Sequence, residues 1–203
     1  VITQNLGVKP IEINSALVSA QNRVRLYWTN IPGIKQPKDK GILLKDIIDD
    51  GFVAKEKSWC MLESWNRFPK STESAIGRYN RRMMPVVFKT PDFDFYKGWR
   101  ELNISECEKL QTVPVGYTSV VNEKIAKGLL GNGWTVDVIA HILSFIPETY
   151  LYTVVSLFDG ISCGQVALER AGKIYNQYYA SEINKYAIQI TQKNYPHTMQ
   201  LGD

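Results

Sequence analysis

Cysteine is scarce in this chain of 203 residues: Cys60, Cys107 and Cys163 are an odd number without metal-ligand spacing. That argues against a disulfide framework and a zinc site, so no metal is expected and a reducing, cytoplasmic setting is natural. No apolar run approaches the length needed to cross a bilayer and no signal peptide is visible at Val1, so no membrane partner is expected. A strong charge of one sign is also missing, since 24 Lys and Arg against 20 Asp and Glu leave only +4. Internal repeats and low-complexity tracts are absent as well. What remains is ordinary globular material, 44% hydrophobic and 22% charged, enough for one sizeable core with a small appended region.

The charge is unevenly spread. Between Trp65 and Thr90 stand Arg67, Lys70, Arg78, Arg81, Arg82 and Lys89, opposed only by Glu73 and interleaved with Trp65, Phe68, Tyr79 and Phe88. Such a patch suits a nucleic-acid backbone; the alternative is a solvated basic loop. The patch lies in a stretch from Lys35 to about Trp99 that shows no sustained period and reads as a small irregular region. Before it, a helix tail closed by Gly7, a strand over Pro10–Val18 and a second strand within Gln21–Ile31 are expected. After it, Ser105 and Glu108 form a capping-box pattern for a helix through Gln111. A further helix is expected over Asn122–Leu130, broken by Gly131-Asn132-Gly133, and another over Val136–Ile146, closed by Pro147.

From Thr153 the pattern becomes α/β. An apolar run leads into Ser156–Gly164, Ser-Leu-Phe-Asp-Gly-Ile-Ser-Cys-Gly, and then a helical stretch, so the segment reads as strand, glycine-rich turn, helix. Gly160 and Gly164 permit positive φ and close backbone approach, and the first N–H groups of the helix can meet a polar ligand. The glycine spacing is wrong for the dinucleotide fingerprint G-x-G-x-x-G, and Asp159 would repel a pyrophosphate, which disfavours a nicotinamide oxidoreductase. Glu182 follows a second strand-like run about twenty residues on, where such folds place a ribose-binding carboxylate. A turn of this kind can be purely structural; taken with the spaced acid, it suits S-adenosyl-L-methionine, whose donor end is cationic.

Through these residues and several further blocks, the chain resembles the DNA (cytosine-5) methyltransferases. Ser156–Gly164 is similar to motif I, Ser181-Glu182-Ile183 to motif II and Gln200-Leu201-Gly202-Asp203 to the start of motif III. Gln21-Asn22-Arg23-Val24-Arg25 is similar to the Q-x-R-x-R of motif VIII. Arg100-Glu101-Leu102 with Glu106, Leu110, Gln111 and Pro114 resembles motif IX, and Gly131-Asn132-Gly133-Trp134 resembles motif X. The order departs from the usual one, running VIII, variable region, IX, X, I, II, III, which is tolerable if the family fold is circularly permuted through a short linker at Pro147–Tyr152. The Pro-Cys nucleophile loop and the Glu-Asn-Val segment, in motifs IV to VII, are missing, since none of the cysteines follows a proline.

The resemblance implies an α/β fold: a Rossmann-like methyltransferase sheet, partial and circularly permuted, with a small irregular target-recognition region. Its parts would be catalytic-domain strands over residues 1–34, target recognition over 35–99, motifs IX and X over 100–150, and cofactor motifs over 151–203. It implies methyl transfer to C5 of a cytosine flipped out of double-stranded DNA, in a bacterial or phage-encoded setting such as restriction-modification. A complementary chain or segment would bring the Pro-Cys loop; the alternative is a catalytically silent module that binds cofactor and DNA. Arg25 would face the base and Arg23 would support the pocket or a phosphate, although alternating strand arginines can simply face solvent. Phe158, Asp159, Gly160, Ile161 and Gly164 would line the turn. Glu182 would accept from the ribose, Ile183 would pack on adenine, Asp203 would accept from its amino group, and Asn132 and Trp134 would close the methionine end. Asn132 could instead be a helix cap and Trp134 a core anchor. Arg67, Arg78, Arg81, Arg82 and Lys70 are the candidate DNA contacts.

Overall fold

The computed structural model describes residues 1–147 and 151–203. The expected Pro147–Tyr152 linker therefore lies partly outside the described residues.

Helix α1 (Ile2–Leu6) is closed by Gly7 at φ 67°, a left-handed cap. Strand β1 (Ile11–Asn14) pairs antiparallel with β2 (Val24–Tyr27), Ile13 opposite Arg25. The strand expected over Pro10–Val18 stops early because Asn14 turns the chain. Its side-chain oxygen accepts from the Ala16 and Arg23 N–H groups, both at 3.0 Å, and opens a 3-10 turn at Ser15–Leu17.

Residues 35–99 are largely irregular but contain a helix that composition does not announce, α2 (Thr72–Asn80), N-capped by Ser71. Strands β3 (Val87–Phe88) and β4 (Trp99–Arg100) form a short antiparallel pair. Around them Tyr79, Phe88 and Phe95 pack edge to face at centroid distances of 4.9 to 6.0 Å, so the aromatic residues among the basic ones fill a core.

Helix α3 (Ile104–Leu110) is capped by a box of Asn103 and Glu106, two residues before the expected Ser105 and Glu108. Both glutamates are buried: Glu106 closes the box and also accepts from the Arg100 guanidinium, whereas Glu108 is committed to the Gly116 and Thr118 N–H groups. Helix α4 (Glu123–Asn132) runs two residues past the expected end at Leu130. Gly131 is a contact glycine rather than a break, since a Cβ there would lie 2.4 Å from the Leu62 carbonyl carbon. Helix α5 (Val136–Leu143) ends three residues short of Ile146.

From Tyr152 the chain alternates strand and helix: β5 (Tyr152–Leu157), α6 (Cys163–Arg170), β6 (Tyr175–Ser181), α7 (Lys185–Asn194) and β7 (Met199–Gly202). The strands are parallel in the order β5-β6-β7, so the protein is a mixed α/β structure with a three-stranded parallel sheet. A large apolar cluster runs from Ile13 through Met61, Phe88, Leu110 and Leu130 to Val166 and Ile190, joining the β1–β2 ribbon, the irregular region and the helices of the sheet, and a smaller one of Leu168, Tyr178 and Ala180 lies beneath the sheet. Among the described residues nothing covers the opposite sheet face. The cross-strand row Val155, Tyr179, Met199 lies on it, with Val155 58% and Met199 49% exposed, as do Leu157 and Leu201.

Candidate functional site

A cavity of about 280 Å³ opens at the C-terminal ends of β5 and β6, where ligands of parallel α/β sheets bind. Its floor is the turn after β5, and the backbone there is unusual. Phe158, Gly160 and Ser162 all have φ near +60°, a conformation that costs a non-glycine residue energy and concentrates at functional sites. The turn is held to the end of β6 by backbone: Asp159 N–H donates to Ser181 O at 3.0 Å, and Gly160 N–H donates to Glu182 Oε2 at 2.7 Å.

The two acids are held differently. Asp159 Oδ1 accepts from the Tyr178 hydroxyl at 2.8 Å, while Asp159 Oδ2 is buried without a partner. An orphaned carboxylate oxygen in a cavity lining is costly unless a donor arrives, which fits a ligand with a cationic or amino group. Glu182 Oε1 accepts from the Ile183 and Asn184 N–H groups, both at 2.8 Å, which aims the carboxylate at the turn. Asn184 in turn caps α7 through the Tyr186 and Ala187 N–H groups. Beneath the turn, Gly164 admits the Tyr178 ring, since a Cβ there would stand 2.7 Å from the Tyr178 hydroxyl oxygen. Burial pushes the Cys163 thiol up to about 12 and the Tyr178 hydroxyl well above its ordinary value, so both keep their protons.

The end of α4 supplies the other wall: Leu129, Asn132, Gly133 and Trp134. Of the residues expected to hold a cofactor, Phe158, Asp159, Gly160, Ile161, Glu182, Asn132 and Trp134 converge on this cavity. Gly164 packs behind it, whereas Ile183 is 74% exposed and Asp203 is also exposed, both outside the lining. Leu129, Asn184 and Ala187 line it unanticipated; only Asn184 had a readable signal, as an N-cap ahead of the helical run from Lys185.

Arg23 and Arg25 sit together but behave differently. Arg25 is exposed, donating to Val24 O at 2.8 Å and approaching Cys60 Sγ at 3.4 Å. Arg23 is buried, and its terminal nitrogens donate to Met61 O at 2.8 Å, Gly133 O at 2.9 Å and Gly131 O at 3.3 Å. That suits support of the pocket and corrects the phosphate alternative, because backbone carbonyls already take both terminal nitrogens.

The basic patch divides likewise. Arg67, Lys70, Arg81 and Arg82 are exposed around the two ends of α2. Arg78 does not join them: it is buried, donating to Ser64 O at 2.9 Å and to Arg67 O, and desolvation lowers its proton affinity. The expected DNA contact at Arg78 is therefore corrected to an internal clamp.

A larger groove of about 990 Å³ lies across the helices, lined by Lys38, Lys40, Asp137, His141 and Arg170. Its charges answer one another, with Asp137 bridging Lys40 at 2.7 Å and Arg170 at 2.5 Å, and it lacks the strained turn and the orphaned oxygen. The smaller cavity is the better candidate. Among the described residues there is no His, Cys, Asp and Glu cluster suited to a metal, and no helix long and apolar enough to cross a membrane.

The strand-turn-helix floor, the acid after β6 and the third strand all fall within one stretch, and that stretch has a match. Residues 152–203 match the family model of C-5 cytosine-specific DNA methylase, so this stretch of the chain is similar to the DNA (cytosine-5) methyltransferases.

Proposed function

We propose that the cavity at the end of the parallel sheet binds S-adenosyl-L-methionine, and that the chain serves methyl transfer to C5 of a flipped cytosine in double-stranded DNA. The observation that carries this reading is the orphaned Asp159 Oδ2 in the wall of that cavity, within the segment that matches the family. When bound, the donor supplies an electrophilic methyl group on a sulfonium. Asp159 Oδ2 accepts from its amino end, Glu182 accepts from the ribose hydroxyls, and Asn132 and Trp134 flank the methionine portion. Arg25, exposed at the ribbon edge, donates to the cytosine O2 and stabilises charge developing there. Arg67, Lys70, Arg81 and Arg82 meet phosphates or base edges of the target.

The chemistry also needs a nucleophile at C6, and no cysteine of the 203 residues follows a proline. Cys107 and Cys163 are buried with thiols pushed up to about 12, far from the thiolate that attack requires. A complementary segment or chain carrying the Pro-Cys loop therefore completes the site, within a Rossmann-like, circularly permuted arrangement. The uncovered apolar sheet face supports such a complement, because parallel sheets are ordinarily covered on both faces. The setting is the cytoplasm, where DNA and the donor are both available.

The unreactive thiols favour one second reading, a catalytically silent module that binds donor and DNA and acts on a partner. Titrating the chain with S-adenosyl-L-homocysteine by calorimetry tests the site, and absence of heat rejects it. Tritiated methyl transfer to DNA after adding a chain with the Pro-Cys loop separates the two readings: incorporation supports the enzyme, and donor binding without incorporation supports the silent module.

A further inference from the structure

Helix α4 ends without a left-handed cap. Gly133 is extended at φ −70° and ψ 172°, and its N–H serves the Leu129 and Leu130 carbonyls at 3.0 and 3.1 Å, which leaves the Gly131 and Gly133 carbonyls to other donors. Residues far away in the chain serve these two and add a second donor to the Leu130 carbonyl. Gln111 Nε2 donates to Leu130 O at 2.5 Å and approaches Gly133 O at 3.4 Å, and Arg23 Nη2 donates to Gly131 O and Gly133 O. These contacts set the direction in which the chain leaves α4, and so where Asn132 and Trp134 stand at the cavity.

The same web reaches the ribbon. Gln21, two residues before Arg23, donates to Gln111 Oε1 at 2.7 Å and accepts from Met61 N–H at 3.1 Å. Arg23 Nη1 donates to Met61 O and meets the Cys60 sulfur at 3.2 Å, the sulfur that Arg25 also approaches. A guanidinium suits this place because its planar fork supplies several donors in fixed directions, whereas an ammonium cannot span both sets of carbonyls. It also places a cation at the negative end of the α4 dipole.

We propose that Arg23 is a positioning residue that locks the Asn132–Trp134 wall of the cavity to the strand carrying Arg25, so that a ligand in the cavity and order in that strand reinforce each other. This rests on the reading that the cavity binds the methyl donor. By linkage, whatever steadies one side steadies the other.

The test uses the full chain and S-adenosyl-L-homocysteine as probe. Arg23→Lys is expected to weaken calorimetric binding about tenfold. Lys57→Met serves as control: it removes a comparable clamp, from Lys57 Nζ to the Ala16, Ser19 and Ile42 carbonyls, away from the cavity, and is expected to bind as the parent does. Parent-like affinity in Arg23→Lys, or equal loss in Lys57→Met, overturns the proposal. If Arg23→Lys does not fold, the unmodified chain still decides. The probe should slow amide exchange at Met61 and over Val24–Tyr27, outside the cavity lining, and unchanged exchange there overturns the proposal. A parent that binds no probe instead rejects the donor-site reading itself, a distinct outcome.

Discussion

The Tyr178 hydroxyl donates to Asp159 Oδ1 at 2.8 Å and occupies the space that a Cβ on Gly164 would enter at 2.7 Å. One tyrosine on the middle strand thus holds the acid of the turn and dictates the glycine behind it. Tyr178→Phe is expected to lower stability by about 1–3 kcal/mol, because Asp159 is left with a second unpartnered oxygen. Gly164→Ala should cost as much in the parent but less in the Tyr178→Phe background, where the clashing hydroxyl is gone. Urea unfolding of the four proteins in a double-mutant cycle reads the coupling, and strict additivity contradicts the arrangement.

Gly131→Ala is expected to destabilise by about 1–3 kcal/mol, since its methyl would press on the Leu62 carbonyl carbon and the Glu63 nitrogen, both within 2.5 Å. Backbone cannot yield as a side-chain tip does. Thermal unfolding measures the loss, and a midpoint equal to the parent's would mean that α4 and residues 62–63 stand further apart.

Burial raises the Cys107 and Cys163 thiols from 9.0 to about 12. Above pH 9 the unfolded chain releases those protons while the folded chain keeps them, so unfolding gains. The stability these groups contribute is fully present below pH 9 and is lost as pH climbs towards about 12. Urea midpoints measured across that window should fall, and alkylation of the native protein at about pH 8 should mark Cys60 alone.

The two kinds of arginine in the basic patch should separate by salt dependence. Removing exposed Arg81 or Arg82 is expected to reduce the slope of log affinity for duplex DNA against log salt by about 0.9 for each phosphate that is no longer neutralised. Arg78→Ala should instead lower the melting temperature with little change in slope, because the Ser64 and Arg67 carbonyls lose their donor. Anisotropy titrations at several salt concentrations read the slope, and three equal slopes would return Arg78 to the surface.

The parallel sheet was legible because its signals are local. An apolar run from Thr153, the glycine-rich turn with its helical stretch, and a second strand-like run ahead of Glu182 announce β5, α6 and β6. Boundaries set by competing side chains were not. Asn103 and Ser105 both precede a glutamate by three residues, and only the burial of Glu108 against the Thr118 loop decides that Asn103 caps α3. The same limit hid the roles of Arg23 and Arg78, because a sequence displays charge but not which carbonyls will surround it. Helix α2 escaped notice because its polar, tyrosine-bearing surface carries little period and it is held by Ser71 and tertiary packing.

Among the described residues no strand lies beyond β5, and the row through Val155, Tyr179 and Met199 has no layer above it. If the proposed complementary segment covers that row, the melting point of the protein will rise with the concentration of the segment, so dilution and tag placement become thermodynamic variables rather than handling details.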